Sequence, residues 1–572
     1  MFEKIFGRKT VISTRFKAVF VAAMISMLSE YVLILTDSVV AGQIIGEEAV
    51  AAMTLVFPMF NLLMFISYVI TDGLVMMASY AQGKEDRDEV NRLFSLGMIL
   101  SVGSGIILFA VLFLFKEEIL SMWEISERLK SFATDYYSGL MWLSLIICLN
   151  TFIYTFFFVE GQERGCVIAS GVSFFVNITM SLLLAETMGV EGIGLATTLG
   201  NLTAVLVQVY YLTGGRSELK FSFYFDLKKT LRGFFYSFYH SIDTLCLSIF
   251  PVLLTAATIQ YFGEERIIVA TVGINLIMML IQVYVGLVDC LQPMICQYHA
   301  ENNLHSVKET ILLGIKVTAA LSLLMTFVGI IFSDFLPKLF GVDDGTKVDE
   351  VAGAMEHFLP FTIFLGITLM LANYYIYVEK MNFGATIKII LLLVAPYVGM
   401  KIGGNFSLDI FWLSIGLSFA ATFLLEVIST KFFKGNGNIL LIDEKDLSRQ
   451  LSYNEDTIFD DVMNLTRTVN DDLKKFNVDE KRRNMLVLYV EEIGLHAVER
   501  AEGKIFQLEF SFLIDEKITM IVRDNGDLYD ILKNAEEGEF SFREFFIDSI
   551  TDNIYGKNYL ASGDENRMIL RI

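Results

Sequence analysis

The sequence predicts an all-α polytopic membrane protein with 12 transmembrane helices in two six-helix repeats, followed by a C-terminal cytosolic α/β two-layer sandwich. Three observations carry this reading. Of the 572 residues 54% are apolar and only 19% charged, too greasy a balance for a soluble multidomain chain. The apolar residues fall in runs of about 20 or more, the length that crosses a hydrocarbon core about 30 Å thick. A long stretch near the N-terminus also recurs, without a gap, 217 residues further on.

Taken in order, the runs cover residues 16–40, 49–82, 91–115, 132–158, 166–188, 192–213, 232–262, 266–298, 310–334, 356–378, 384–402 and 406–430. The first follows a short basic segment but is long and lacks a small-residue cleavage pattern, so it reads as a retained span. The second and eighth exceed the minimum and are expected to tilt or protrude. Lys and Arg in the short loops set the orientation. With the N-terminus inside, the cytoplasmic loops hold Lys84, Arg87, Lys228, Lys229 and others, about twice the basic residues of the opposite side, where Lys116, Arg128, Lys130 and Lys338 dominate. Both termini are therefore expected in the cytoplasm of a plasma-membrane protein. The partition is a cytosolic segment 1–15, a first lobe 16–214, a loop 215–231, a second lobe 232–430, a linker 431–440 and a tail domain 441–572.

Charge is unevenly spread. From Asn436 onward there are 29 acidic and 17 basic residues, a net of -12. Such a tail repels nucleic acid and anionic lipid and excludes both as its partners. The five cysteines lie in or beside apolar runs, with no zinc spacing or disulfide framework, and read as small buried hydrophobes.

The repeat aligns "GEEAVAAMTLVFPMFNLLMFISYVITDGLVMM" from Gly46 with "GEERIIVATVGINLIMMLIQVYVGLVDCLQPM" from Gly263. Gly46, Glu47, Glu48, Thr54, Leu63, Asp72, Leu74, Met77, Val90, Leu96 and Gly97 meet identical residues. Two apolar helices match by chance at Leu and Ile, but not at Gly-Glu-Glu and an intramembrane Asp in one register. An even number of helices per repeat keeps the lobes parallel, related by an axis along the membrane normal with a cavity between them.

"LTDSVVAGQIIGEEAVAAM" from Leu35, the second "GEERIIVATVGINLIMM" and "VEGIGLATTLGN" from Val190 resemble the multidrug and toxic compound extrusion (MATE) family over about residues 14–432. The resemblance implies a secondary active exporter, driven by H+ or Na+ influx, that expels a small cationic or apolar compound.

Ionisable groups inside a span are costly and are functional candidates by default. Glu30 and Asp37 are two turns apart on one face of the first helix, with no Lys or Arg between Lys17 and Lys84. Two carboxylates at this depth suit a proton or Na+ site. The resemblance matches Asp37 to an acid in the family's first helix. It also implies a first-lobe cation site in which Asn177 and Thr197 match an Asn and a Thr, while the family's Asp is Ser181. Losing that carboxylate tilts the expectation toward protons. Asp243 and His240 stand near where some members carry a second-lobe acid, and Asp72 and Asp289 are repeat mates. The plain alternative for these four is a polar group satisfied between helices.

In the tail, "NILLID" reads as a strand, "NEDTIFDDVMNLTRTVNDDLKKF" and "DEKRRNMLVLYVEEIGLHAVERA" as helices, and "KIFQLEFSFLI", "KITMIVRDNG" and "RMILRI" as strands. This order resembles the histidine-kinase-like ATP-binding fold, especially the anti-sigma-factor kinases. The resemblance matches Glu492 to the helix carboxylate, Asp524 and Gly526 to the adenine motif, and Asn566 to an Asn before the last strand. Two positions depart from it. His496 replaces the Mg2+-holding Asn, and Ser541 and Arg543 replace the lid glycines. Imidazole suits Mg2+ poorly, whereas Arg543 can meet an anion. The expectation is a degenerate domain that senses an adenine nucleotide without Mg2+-dependent turnover, or one that docks a cytosolic protein. The other expected partners are a small-molecule substrate and the membrane lipids. Two rival readings are a kinase-coupled membrane sensor and a flippase of a lipid-linked precursor.

Overall fold

The computed structural model describes residues 9–121, 127–214, 219–339, 345–432, 438–515, 517–527, 556–562 and 565–572. The first lobe runs through α1 (Val11–Ile44), α2 (Glu47–Gly83), α3 (Arg87–Leu114), the short α4 (Lys116–Ser121), α5 (Glu127–Met141), α6 (Ser144–Glu160), α7 (Glu163–Met188) and α8 (Val190–Thr213). The second runs through α9 (Leu227–His240), α10 (Ile242–Phe262), α11 (Ile267–Ala300), α12 (Leu304–Ile331), the short α13 (Leu336–Leu339), α14 (Gly345–Phe358), α15 (Thr362–Tyr377), α16 (Met381–Ile389), a π turn at Ile390–Val394, α17 (Ala395–Gly403) and α18 (Leu408–Phe432). Among the described residues 11 helices are long and apolar enough to cross a membrane, or 12 if a pair bent by 49°, Arg128–Met141 with Ser144–Glu160, is one span. That pair is the run expected at 132–158. The run at 232–262 is likewise two helices, parted at Ser241.

The repeat holds at the level of single caps. α3 and α12 begin and end 217 residues apart. Each is capped by a short polar side chain, Asp86 accepting from the Glu89 N–H and Asn303 from the Ser306 N–H. The residue before each cap, Glu85 or Asn302, is left-handed, with φ of 64° and 58°. Such backbone is strained for a residue with a Cβ, so the same tight turn is reproduced in both lobes.

The lobes meet along the halves that lie nearer the tail. A Cβ on Gly73 of α2 would collide with the Gly233 carbonyl of α9, and one on Gly83 with the Gln297 carbonyl of α11. The Tyr80 hydroxyl of α2 donates to the Tyr377 carbonyl of α15 at 2.6 Å. A shared core of α1, α2, α3, α6, α11, α12 and α15 residues fills this half.

The tail is a two-layer sandwich. After the short α19 (Glu444–Leu447) come β1 (Gln450–Asp456), α20 (Phe459–Lys475), α21 (Glu480–Arg500), β2 (Gln507–Ile514), β3 (Ile518–Asp524), β4 (Gly556–Ser562) and β5 (Glu565–Arg571). The sheet is antiparallel throughout, in the order β1-β2-β3-β5-β4. Leu508, Phe510, Phe512, Met520, Val522, Met568 and Leu570 pack from one face onto Leu465, Val469, Tyr489 and Ile493 of the two helices. The strand period of two sends the intervening residues to the opposite face.

Two expectations for the tail are corrected. "NILLID" is not a strand: Leu440 and Ile442 are buried in the transmembrane core, and the Tyr374 and Tyr375 hydroxyls of α15 hold the Leu440 and Ile439 carbonyls at 2.7 and 2.9 Å. Its apolar residues plug the bundle instead of a sheet. The first strand is Gln450–Asp456, whose last three residues were assigned to a helix; its polar side chains hide the strand period because it is an edge.

Candidate functional site

The first cluster sits in the first lobe, toward the end of α1 remote from the tail. α7 ends at Gly189, φ 64°, and the chain turns straight into α8. Glycines in "VEGIGLATTLGN" then let α8 lie against its neighbours. A Cβ on Gly194 would stand 2.7 Å from the Leu140 N of α5, and one on Gly200 3.0 Å from the Ser173 carbonyl of α7. This close packing presents Thr197 to α7, where Asn177 and Ser181 are one turn apart.

Asp37 from α1 enters between them, only 5% exposed. The Ser181 hydroxyl donates to its Oδ1 at 2.9 Å and the Thr197 hydroxyl to its Oδ2 at 3.0 Å, while the Asn177 amide donates to Thr197 Oγ1 at 3.2 Å. Four of the expected residues, on three helices, thus converge on one carboxylate. Among the described residues no Lys or Arg pairs with it. Glu30 lies in α1, with its side chain outside the described residues.

A polar track leads away from this cluster. Asn201, one turn after Thr197, accepts from Asn150 of α6 at 2.8 Å, and Gln208 donates to Asn150 at 2.9 Å. Sequence reading missed these residues. The signal was there: Thr197, Asn201 and Gln208 form a helical stripe on an otherwise apolar span.

The second cluster lies where the lobes touch. His240 ends α9, and its Nδ1 stands 3.1 Å from Asp72 Oδ2 of α2, its Nε2 3.0 Å from the Tyr377 hydroxyl of α15. The break at Ser241 frees the His240 carbonyl, which accepts from Lys388 of α16; the same ammonium holds Asp243 Oδ2 at 3.0 Å. Asp289 is half-buried within electrostatic reach of His240, Asp72, Asp243 and Lys388. So Asp72, His240, Asp243 and Asp289 gather as one group spanning both lobes. Lys388, fully buried, is its overlooked member. Glu426 of α18 was also overlooked: it is fully buried, close to Thr368 and Tyr375.

In the tail, Asp524 and Asn566 are cross-strand partners. Asp524 Oδ1 accepts from Arg500 Nη2 at 2.5 Å, the Asn566 amide at 2.8 Å and the Gly526 N–H at 3.0 Å. Asp524 Oδ1 is thus engaged three times over by the protein. Glu492 and His496 stand one turn apart on α21, His496 buried. Arg543 and Ser541 lie outside the described residues. An adenine amino group would have to share the Asp524 carboxylate with Arg500, its cationic partner within the tail.

A bundle of 11 or 12 spans in two related lobes, with a buried carboxylate site in one, defines a two-lobed secondary transporter. The chain matches the MatE family model over residues 22–183 and 241–400, one block in each lobe, and it belongs to that family. No curated protein matches the chain. Solved structures share the fold of the transmembrane part. A MATE protein in complex with MaL6, a MOP superfamily transporter from Pyrococcus furiosus whose binding pocket has reversed polarity, and an outward-facing multidrug resistance MATE transporter each superpose with a TM-score of 0.69 at 17% identity. Each covers 75% of this chain and 97% of its own.

Proposed function

We propose that this MATE-family chain is a proton-driven exporter in which Asp37 carries the coupling proton, and that its tail regulates transport without turning over nucleotide. The observation that carries the first part is the company of Asp37. Both its oxygens accept from neutral hydroxyl donors, and by the family resemblance Ser181 stands where members carry a second carboxylate. A buried carboxylate with only neutral partners changes charge by taking or losing a proton, with no counter-ion to rearrange. A Na+ site needs several oxygen lone pairs and more negative charge; here, among the described residues, both hydroxyls donate to one carboxylate. Both termini lie in the cytoplasm on this reading, and the substrate is a small cationic or apolar compound.

Reconstitution tests it. Liposomes loaded with ethidium should release it when a pH gradient, and not a Na+ gradient, is imposed across the bilayer, and Asp37→Asn should reduce that release to background. Equal release by Asp37→Asn rejects the assignment. For the tail, ATP with or without Mg2+ should leave the thermal midpoint of the full chain unchanged; a saturable upward shift would mean that Arg500 yields Asp524 to a nucleotide.

A further inference from the structure

The face of the tail sheet turned away from its helices carries a line of charge that the transport mechanism does not use. Glu509, Arg523 and Arg567 are successive partners across β2, β3 and β5. Arg523 and Arg567 are like charges directly opposite, an unfavourable pair by itself. The group that reconciles them comes from the other part of the molecule. Glu301, in the turn between α11 and α12, receives Arg523 on one oxygen and Arg567 on the other. Burial pushes the Glu301 carboxyl up, but the two guanidiniums overcome this and hold it below its ordinary value.

The surrounding contacts divide by lobe. On the second lobe Ser306 donates to Glu509 at 3.0 Å, Gln450 accepts from the Leu304 N–H at 2.9 Å and donates to the Asn302 carbonyl at 2.7 Å, and Arg523 stacks 4.8 Å over the Tyr298 ring. On the first lobe Arg571 pairs with Glu85, Glu565 accepts from Arg15 at 2.9 Å, and Arg567 donates to the Gln82 carbonyl at 2.6 Å. Glu85 and Asn302 are repeat mates, so one rigid sheet sits across the two turns that the internal symmetry relates.

The two sets are unequal. The second-lobe pair Arg523–Glu301 has side chains 0% and 1% exposed, and the linker is pinned to α15 of the same lobe. On the first lobe Arg15–Glu565 is also buried, at 11% and 7%, but Arg571, which pairs with Glu85, is 42% exposed. A buried pair is costly to break, a solvated one is not.

We propose that the charged sheet face is a latch: the tail is anchored on the second lobe and holds the first through Arg571–Glu85 and Arg15–Glu565, so that the tail-side ends of the lobes part only when it lets the first lobe go. The proposal rests on the two-lobed transport reading, because only a transporter must open at this end, and goes beyond it in assigning the surface and the order of release.

A spin label on Asp88→Cys of the first lobe and another on Lys380→Cys of the second report the separation directly, with no substrate needed. Both positions are exposed and the five native cysteines are buried, so labelling is selective. In the full chain the double-label distances should be dominated by one short population. Arg571→Glu should raise the share of a longer one by about two- to five-fold, the range expected for a half-exposed pair. Adding Glu85→Arg should return it. An Arg571→Glu distribution identical to the unaltered chain, or a charge swap that fails to restore it, overturns the latch. Both results leave the coupling role of Asp37 untouched, since that is read from pH-driven release. Arg571 is chosen because its exposed side chain can be changed without unfolding the domain.

Discussion

The two polar clusters within the bundle are built from similar residues and differ in one respect. Around Asp37 every partner among the described residues is neutral, whereas around Asp72 and Asp243 the partners are an imidazole and a fully buried ammonium. A carboxylate held by hydroxyls can gain or lose a proton with little rearrangement. One held by a lysine fixes its neighbours, since separating a buried pair exposes two charges to a medium of low dielectric. The first cluster therefore suits a coupling site and the second a joint. Lys388 ties α16 to the α9–α10 break, and His240 ties that break to α2 of the other lobe.

The comparison is broken most severely at Asp37. Asp37→Asn should lower pH-driven ethidium release by about 100-fold or more while leaving the folded yield and thermal midpoint near those of the unaltered protein, because an amide can still accept from Ser181 or Thr197. If the neutral variant still couples, the contrast between the clusters has no functional meaning.

Lys388→Met should act in the opposite sense, on stability before transport. It strands Asp243 without its cation, a loss of about 3–5 kcal/mol for one partner of a buried pair, read as a lowered thermal midpoint in detergent. Lys388→Met with Asp243→Asn together should recover most of it, since removing both charges is far less costly than removing one. A double variant as unstable as the single one would refute the pairing.

Ser181→Ala is the mildest change and sharpens the reading most. It deletes one of the two donors that favour the charged carboxylate. Transport should persist with its pH dependence moved upward by about one unit, the equivalent of a single hydrogen bond to a charged group. An unmoved profile would mean that Ser181 positions the helix and does not tune the proton.

Much of this was legible in the chain. Composition and run length gave the spans, and the gapless register of Gly46 with Gly263 gave the two lobes down to the matching caps at Asp86 and Asn303. Asn177, Ser181, Thr197 and Asp37 follow from the resemblance of their surroundings to a family, and the structure brings them within hydrogen-bond distance. The residues that escaped notice share a cause. Lys388 and Glu426 are single charges in apolar runs, and nothing local reveals the residues they meet, which lie on other helices. "NILLID" has strand composition, but nothing local says that the lipid-embedded bundle will claim it first.

Hydrophobicity and periodicity are local, and the bilayer reads them segment by segment, so the sequence by itself determined which stretches span, how the lobes repeat and which tail segments form helix and most of the strands. Whether Asp243 meets a lysine and Asp37 only hydroxyls was decided by how helices rotate and pack against one another. The docking of a sheet face on Glu301 and Glu85 was likewise a tertiary decision. Ion pairs form between whatever surfaces folding brings together, and the free energy of burying them depends on the partners supplied from elsewhere in the chain.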